Sequence, residues 1–227
     1  MMKWSALYLQ DGMSLTGESL NCLMDWVMMM MISILMAVSW FYVSIQLSKT
    51  LSNHIIDSQY IEFGWTCFPL IILYCMASIS LKALYTEDNQ LLSPCLNFNV
   101  TGHQWYWEYY YPDFNISYDS YLQEWESKIF RLSDCDNHVI LPFKTPIRIS
   151  VTSADVIHSW AVPSLGIKMD ATPGRIVSSI YSPAVPGLVY GLCAELCGAN
   201  HSFMPITIEH TSLLLFKKWV RMMTDTE

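Results

Sequence analysis

Positive charge is scarce in this chain: 12 lysines and arginines stand against 20 acids, a formal net charge of −8. That balance argues against nucleic acid as a partner and favours a cationic one. Charge of either sign is scarce as well, at 14% of residues, whereas 52% are hydrophobic. With a positive mean hydropathy, the composition points to a membrane protein rather than a soluble one. Seven cysteines, an odd number, exclude a complete disulfide framework. Internal repeats and low-complexity tracts are absent, which leaves one or two ordinary domains for 227 residues.

Two stretches lack charge altogether. Trp26 to Ile45 runs twenty residues; at 1.5 Å per residue that is about 30 Å, the thickness of a bilayer's hydrocarbon core. Phe63 to Leu81 is a second run of nineteen, bounded by Glu62 and Lys82, with Pro69 inside it at a position a membrane helix tolerates. The first run is too long for a signal peptide, and the residues before it carry Asp11, Glu18 and Asp25 against Lys3. We therefore read residues 1–85 as an N-terminal segment with a transmembrane hairpin, spans about 26–45 and 63–81. Cys22, Cys67 and Cys75 lie in or beside these runs and read as small buried hydrophobes. The loop between the spans, Gln46 to Ile61, holds Lys49 against Asp57, too little charge to orient the hairpin.

From residue 86 the composition turns polar. Val139 to Leu141, Ile147 to Val151, Arg175 to Tyr181, Leu188 to Leu192 and Ile206 to Ile208 read as strands, with prolines at their boundaries. Several short strands at close spacing suggest an all-β sandwich. Ser212 to Met223 reads as a C-terminal helix capped by Ser212 or Thr211.

The chemistry is concentrated in Cys193-Ala-Glu195-Leu-Cys197-Gly-Ala-Asn-His201-Ser-Phe-Met204. Two thiols, an imidazole and a thioether fall within twelve residues, and a second imidazole, His158, lies upstream. This is a soft ligand set, which selects copper over magnesium, calcium or manganese. A Cys2His2 zinc site would use the same thiols and imidazoles but leave Met204 unexplained. A Cys193–Cys197 disulfide would close a very short loop. A single blue copper needs one cysteine, two histidines and a weak methionine, which leaves one cysteine over. Two cysteines, two histidines and a methionine are enough for two coppers.

The loop, together with His158-Ser-Trp-Ala-Val-Pro163, resembles the dinuclear copper (copper A) segment of cytochrome c oxidase subunit II. The resemblance implies a cupredoxin-like Greek-key sandwich over residues 86–227 and copper ligands His158, Cys193, Cys197, His201 and Met204, with the backbone carbonyl of Glu195. It implies that the Glu195 side chain holds a magnesium ion shared with subunit I. It also implies that Trp105, in the aromatic run Trp105 to Tyr111, is where electrons enter from cytochrome c. Fifteen acids follow Thr86 against nine lysines and arginines; of these, Asp119, Asp136 and Asp155 match docking acids. Glu108 lies near the position where the family often has an acid and this chain has Tyr110. Glu62 matches the mouth of a proton pathway into subunit I. The implied activity is that of a proton-translocating oxidase subunit in the mitochondrial inner membrane, associated with subunits I and III and with lipid. The soluble domain and both termini would face the intermembrane space, and the short loop the matrix. The sequon Asn200-His201-Ser202 includes a ligand, which fits a compartment without glycosylation. Cys95 and Cys135 fall outside the family pattern, and their pairing is open.

Overall fold

The computed structural model describes residues 9–49, 57–88, 93–124 and 130–225. It forms two compact units, Leu20–Glu87 and a second unit that begins at Asp88 and also takes in the described N-terminal residues up to Ser19. Most of the loop between the spans, residues 50–56, lies outside the described residues.

The first unit holds all but the ends of helices α1 (Leu15–Leu47) and α2 (Gln59–Asp88). Both outrun the charge-free stretches, because a helical backbone continues through Asp25, Glu62 and Lys82 without penalty once its hydrogen-bond ladder is running. Their most apolar windows are long enough to cross a bilayer and are not buried by protein, unlike a soluble core helix. The hydroxyls of Ser33 and Ser78 donate back to Met29 O (2.8 Å) and Tyr74 O (2.9 Å). Such back-bonds satisfy hydroxyls that lipid cannot. Cys22 and Cys75 are exposed on these helices rather than packed inside protein.

The second unit is a sandwich of ten strands: β1 (Leu96–His103), β2 (Tyr106–Tyr111), β3 (Ile116–Ser120), β4 (Val139–Pro142), β5 (Ile147–Ser153), β6 (His158–Val162), β7 (Ile167–Ala171), β8 (Val177–Tyr181), β9 (Gly187–Cys193) and β10 (Pro205–Thr211). One sheet has the order β3-β2-β1-β5-β8 and the other β4-β10-β9-β6-β7. Each contains one parallel pair, β1 with β5 and β10 with β4, so the chain crosses between sheets rather than meandering. Side chains alternate as a pleated strand requires. On β2, Trp107, Tyr109 and Tyr111 are fully buried while Tyr106, Glu108 and Tyr110 face outward. Helix α3 (Leu213–Thr224) follows, capped by Ser212, whose hydroxyl accepts from Leu215 N. It presents Phe216 to the core and packs Trp219 against Tyr111, ring centroids 5.2 Å apart.

Residues before α1 are tied to the sandwich. Met13 N donates to Ser164 O (2.7 Å), Ala184 N to Met13 O (2.8 Å), and the buried Ser14 hydroxyl donates to Leu165 O (2.6 Å) while accepting from Gly17 N (3.0 Å). One hydroxyl thus satisfies Gly17 N in the first turn of α1 and Leu165 O in the sandwich.

His210 is buried at the sandwich interior, with Nε2 3.1 Å from the Tyr181 hydroxyl. Burial pushes its pKa down from 6.5 to about 4. An unfolded histidine titrates near 6.5, so between about pH 6.5 and 4 the unfolded chain binds a proton that the folded chain refuses. Stability therefore falls with acidification, by on the order of 3 kcal/mol across that window. Denaturant titrations of the full chain at pH 7 and 4.5 should show this loss, and His210→Gln should show a smaller one. An equal pH dependence in the variant would assign the acid sensitivity to another group.

Candidate metal centre

Two strand ends and one loop build the site. His158 opens β6 and Cys193 closes β9, and these strands pair antiparallel with Trp160 opposite Cys193. Ala194 N donates to Ser159 O (2.9 Å), which holds the start of the loop against β6. The loop then turns at Gly198, whose φ of +125° suits glycine. It passes through a 3-10 turn, His201–Phe203, and delivers Met204 just before β10.

Five donor side chains converge. Cys193 Sγ lies 3.9 Å from His158 Nδ1 and 3.9 Å from Cys197 Sγ. Cys197 Sγ lies 3.5 Å from His201 Nδ1 and 3.5 Å from Met204 Sδ. The carbonyl of Glu195 faces Cys193 Sγ at 3.3 Å. His158, Cys193, Cys197 and Met204 are buried and His201 half-buried. The donor atoms of His158, Cys193 and Cys197 all lie within 4.8 Å of one another, a spacing that can hold a metal ion. Sulfurs 3.9 Å apart are not bonded, since a disulfide is about 2.05 Å long. Among the described residues all seven cysteines are free; Cys95 is exposed and Cys135 buried, with Cys135 Sγ against Pro205 O (3.3 Å). The donor set is soft, and Met204 Sδ sits within it, a position that zinc would not use.

The protonation of the two thiols differs. Burial works against a thiolate at Cys193, but hydrogen bonding to His158 outweighs it and brings the pKa down to about 7. Burial and the neighbouring Cys193 push Cys197 up to about 12. Thiol protons leave when a metal takes their place.

Around the donors lie residues that the sequence reading missed or assigned differently. His158 Nε2 contacts Asp155 Oδ1 at 2.9 Å, which leaves Nδ1 for the cluster. Gln104 joins both sides: its backbone N–H donates to Asp155 Oδ2 (2.7 Å) and its side chain to Cys197 O (2.8 Å). Trp107 Nε1 donates to Met204 O (3.2 Å). The Asp155-x-x-His158 spacing is the one sequence signal that could have found any of these contacts.

Trp105 occupies the tight turn between β1 and β2, half-buried. A Cβ on Gly198 would come within 3.2 Å of its ring, so the indole lies against the ligand loop. Nearby, the rings of His103, Tyr106 and Tyr121 stack with centroids 4.6 and 4.5 Å apart. Asp119 and Asp136 are exposed beside Tyr121, and Glu108 faces Asp119 across β2 and β3. His103 pairs with Glu108 at 3.2 Å, away from the donor cluster. Glu195 turns its two ends different ways. Its side chain is exposed, while its carbonyl faces Cys193 Sγ. Glu62 belongs to the helical unit, in the first turn of α2.

Two sequence models account for most of the chain: "Cytochrome C oxidase subunit II, transmembrane domain" matches residues 2–83, and "Cytochrome C oxidase subunit II, periplasmic domain" matches residues 96–211. The chain belongs to the cytochrome c oxidase subunit II family. Cytochrome c oxidase subunit 2 of Simulium vittatum is 44% identical over 99% of this chain and 100% of its own length. That of Periplaneta americana is 44% identical over 97% and 98%. Among solved structures, the periplasmic domain of subunit II from Bradyrhizobium japonicum is 39% identical and covers 60% of this chain and 99% of its own, with a TM-score of 0.57. A subunit II trapped in a mixed disulfide with a thioredoxin-like protein is 38% identical, with a TM-score of 0.54. The chain is thus a membrane-anchored component of a cytochrome c oxidase, with two apolar helices followed by a cupredoxin-like sandwich.

Proposed function

We propose that this chain accepts single electrons from reduced cytochrome c and passes them to the haem of subunit I, where oxygen is reduced to water with proton pumping. The complex, which includes subunit III, would lie in the mitochondrial inner membrane with the sandwich in the intermembrane space. The observation that carries this reading is the meeting of Cys193, Cys197, His158, His201 and Met204 at 3.5–3.9 Å contacts. These side chains and the Glu195 carbonyl would hold two copper ions. When bound, a copper pair supplies a one-electron couple shared by both metals. The protein's part is to bury the donors, fix them, and keep water from them.

Exposed Asp119 and Asp136, with Glu108 beside them, form an acidic face suited to a basic partner. The exposed Glu195 carboxylate is free to serve as a magnesium ligand against subunit I, since magnesium takes carboxylate oxygen. Glu62, at the start of α2, would open a proton path into subunit I.

The test is to load the full-length chain in detergent with copper and count metal. Two coppers per chain and a mixed-valence dinuclear spectrum are expected; a single copper, or zinc alone, would overturn the reading. Trp105→Phe in the assembled oxidase should keep that spectrum yet slow electron uptake from cytochrome c roughly tenfold or more, equivalent to about 1.4 kcal/mol of barrier. Uptake at the normal rate would remove Trp105 from the path.

A further inference from the structure

We infer that Asp155 is a positioning residue, whose carboxylate orients the ligand His158 and fastens the turn that carries Trp105 to it. The inference rests on the copper reading above, and it departs from the role the family resemblance gave this acid on the docking face.

The carboxylate is occupied from within the protein. Oδ1 accepts from Val156 N (2.6 Å) and from His158 Nε2 (2.9 Å); Oδ2 accepts from Gln104 N (2.7 Å). A carboxylate offers about four lone-pair sites, and internal N–H donors take both on Oδ1 and one on Oδ2. Only a third of the side chain remains exposed, whereas the histidine it meets is wholly buried. A buried imidazole needs a partner at each ring nitrogen. With Nε2 engaged by Asp155, the ring can turn only Nδ1 toward Cys193.

The donors come from separate segments. Val156 and His158 belong to the approach to β6, and Gln104 to the β1–β2 turn. Gln104 also reaches the ligand loop through Cys197 O (2.8 Å). Asp155 therefore ties His158 to the turn bearing Trp105 and, through Gln104, to the loop bearing Cys197. A carboxylate behind a ligating imidazole fixes its orientation and raises its basicity, and losing it costs about 10–100-fold in metal affinity.

The experiment compares Asp155→Ala and Asp155→Asn with Asp119→Asn in the full-length chain. Asp155→Ala should lose copper to a chelator about 10–100-fold more readily and change the spectrum of the copper-loaded chain. Asp155→Asn, which keeps an acceptor oxygen, should recover most of the retention. In the assembled oxidase, Asp119→Asn should raise KM for cytochrome c in a salt-dependent way without altering that spectrum. Unchanged copper retention and spectrum in Asp155→Ala, with a raised KM alone, would overturn the inference. In the metal-free chain, the His158 ring N–H should be protected from exchange in the wild type and exposed in Asp155→Ala. That readout stands even if the chain fails to take two coppers, so failure of the orientation role is distinguishable from failure of the copper reading. Equal protection in both would also overturn it.

Discussion

Cys197→Ser abolishes the two-metal centre while leaving a chain that still folds and still binds one copper. Cys197 Sγ is the hub of the donor set, touching Cys193 Sγ, His201 Nδ1 and Met204 Sδ at 3.9, 3.5 and 3.5 Å. A serine hydroxyl is a harder donor that does not ionise at neutral pH, so it replaces neither the charge nor the softness of a thiolate. What remains is one cysteine, two histidines and a methionine, the ligand set of a blue single-copper site. Metal analysis should fall from about two coppers to about one per chain, with loss of the mixed-valence spectrum and of cytochrome c oxidation. Met204→Leu is the control. It conserves volume at a buried site, which costs less than about 1.5 kcal/mol, and removes only a weak donor. Both coppers should stay and the reduction potential should shift. Two coppers and a normal spectrum in Cys197→Ser would show that the second thiol is not a ligand.

The ligands were legible in the sequence because they are chemically conspicuous and four of the five fall in one loop. His158 was identifiable through its resemblance to a known segment, since nothing in local spacing joins it to Cys193, 35 residues away. The strands were legible where β-branched residues dominate, as at Ile147 to Val151. They were missed where other residues intervene: Leu96 to His103 carries two asparagines, and His158 to Val162 was read for its ligand rather than for its backbone. The helices run on past the charge-free spans, because charge limits what lipid accepts rather than where a helix stops. Hidden altogether were the contacts made by the parallel pairing of β1 with β5. This pairing sets Gly102 beside Ser153 and brings Gln104 to Asp155, 51 residues on. Such pairings follow from the fold's long-range register and leave no periodic trace in the chain.

Gly102→Ala shows what that register controls, and it should damage the metal centre from outside the ligand set. Gly102 sits on β1 opposite Trp107 and beside Ser153. A Cβ there would lie 2.9 Å from His158 Cδ2 and 3.1 Å from Trp107 Cζ3, closer than carbon atoms rest. Neither ring has an easy escape. Trp107 is fully buried and bonded to Met204 O, and His158 is held by Asp155 while its ring meets Trp107 at a centroid distance of 5.8 Å. An added methyl therefore has to move either the ligand ring or the indole that supports Met204. Overpacking of this kind costs about 1–3 kcal/mol, and the displaced imidazole weakens metal binding as well. The metal-free chain should be less stable to denaturant by that amount. The copper-loaded chain should be destabilised further, because part of its stability comes from the bound metal. Equal losses with and without copper would mean that the methyl is absorbed by Trp107 alone, and that the backbone at Gly102 does not set the position of His158.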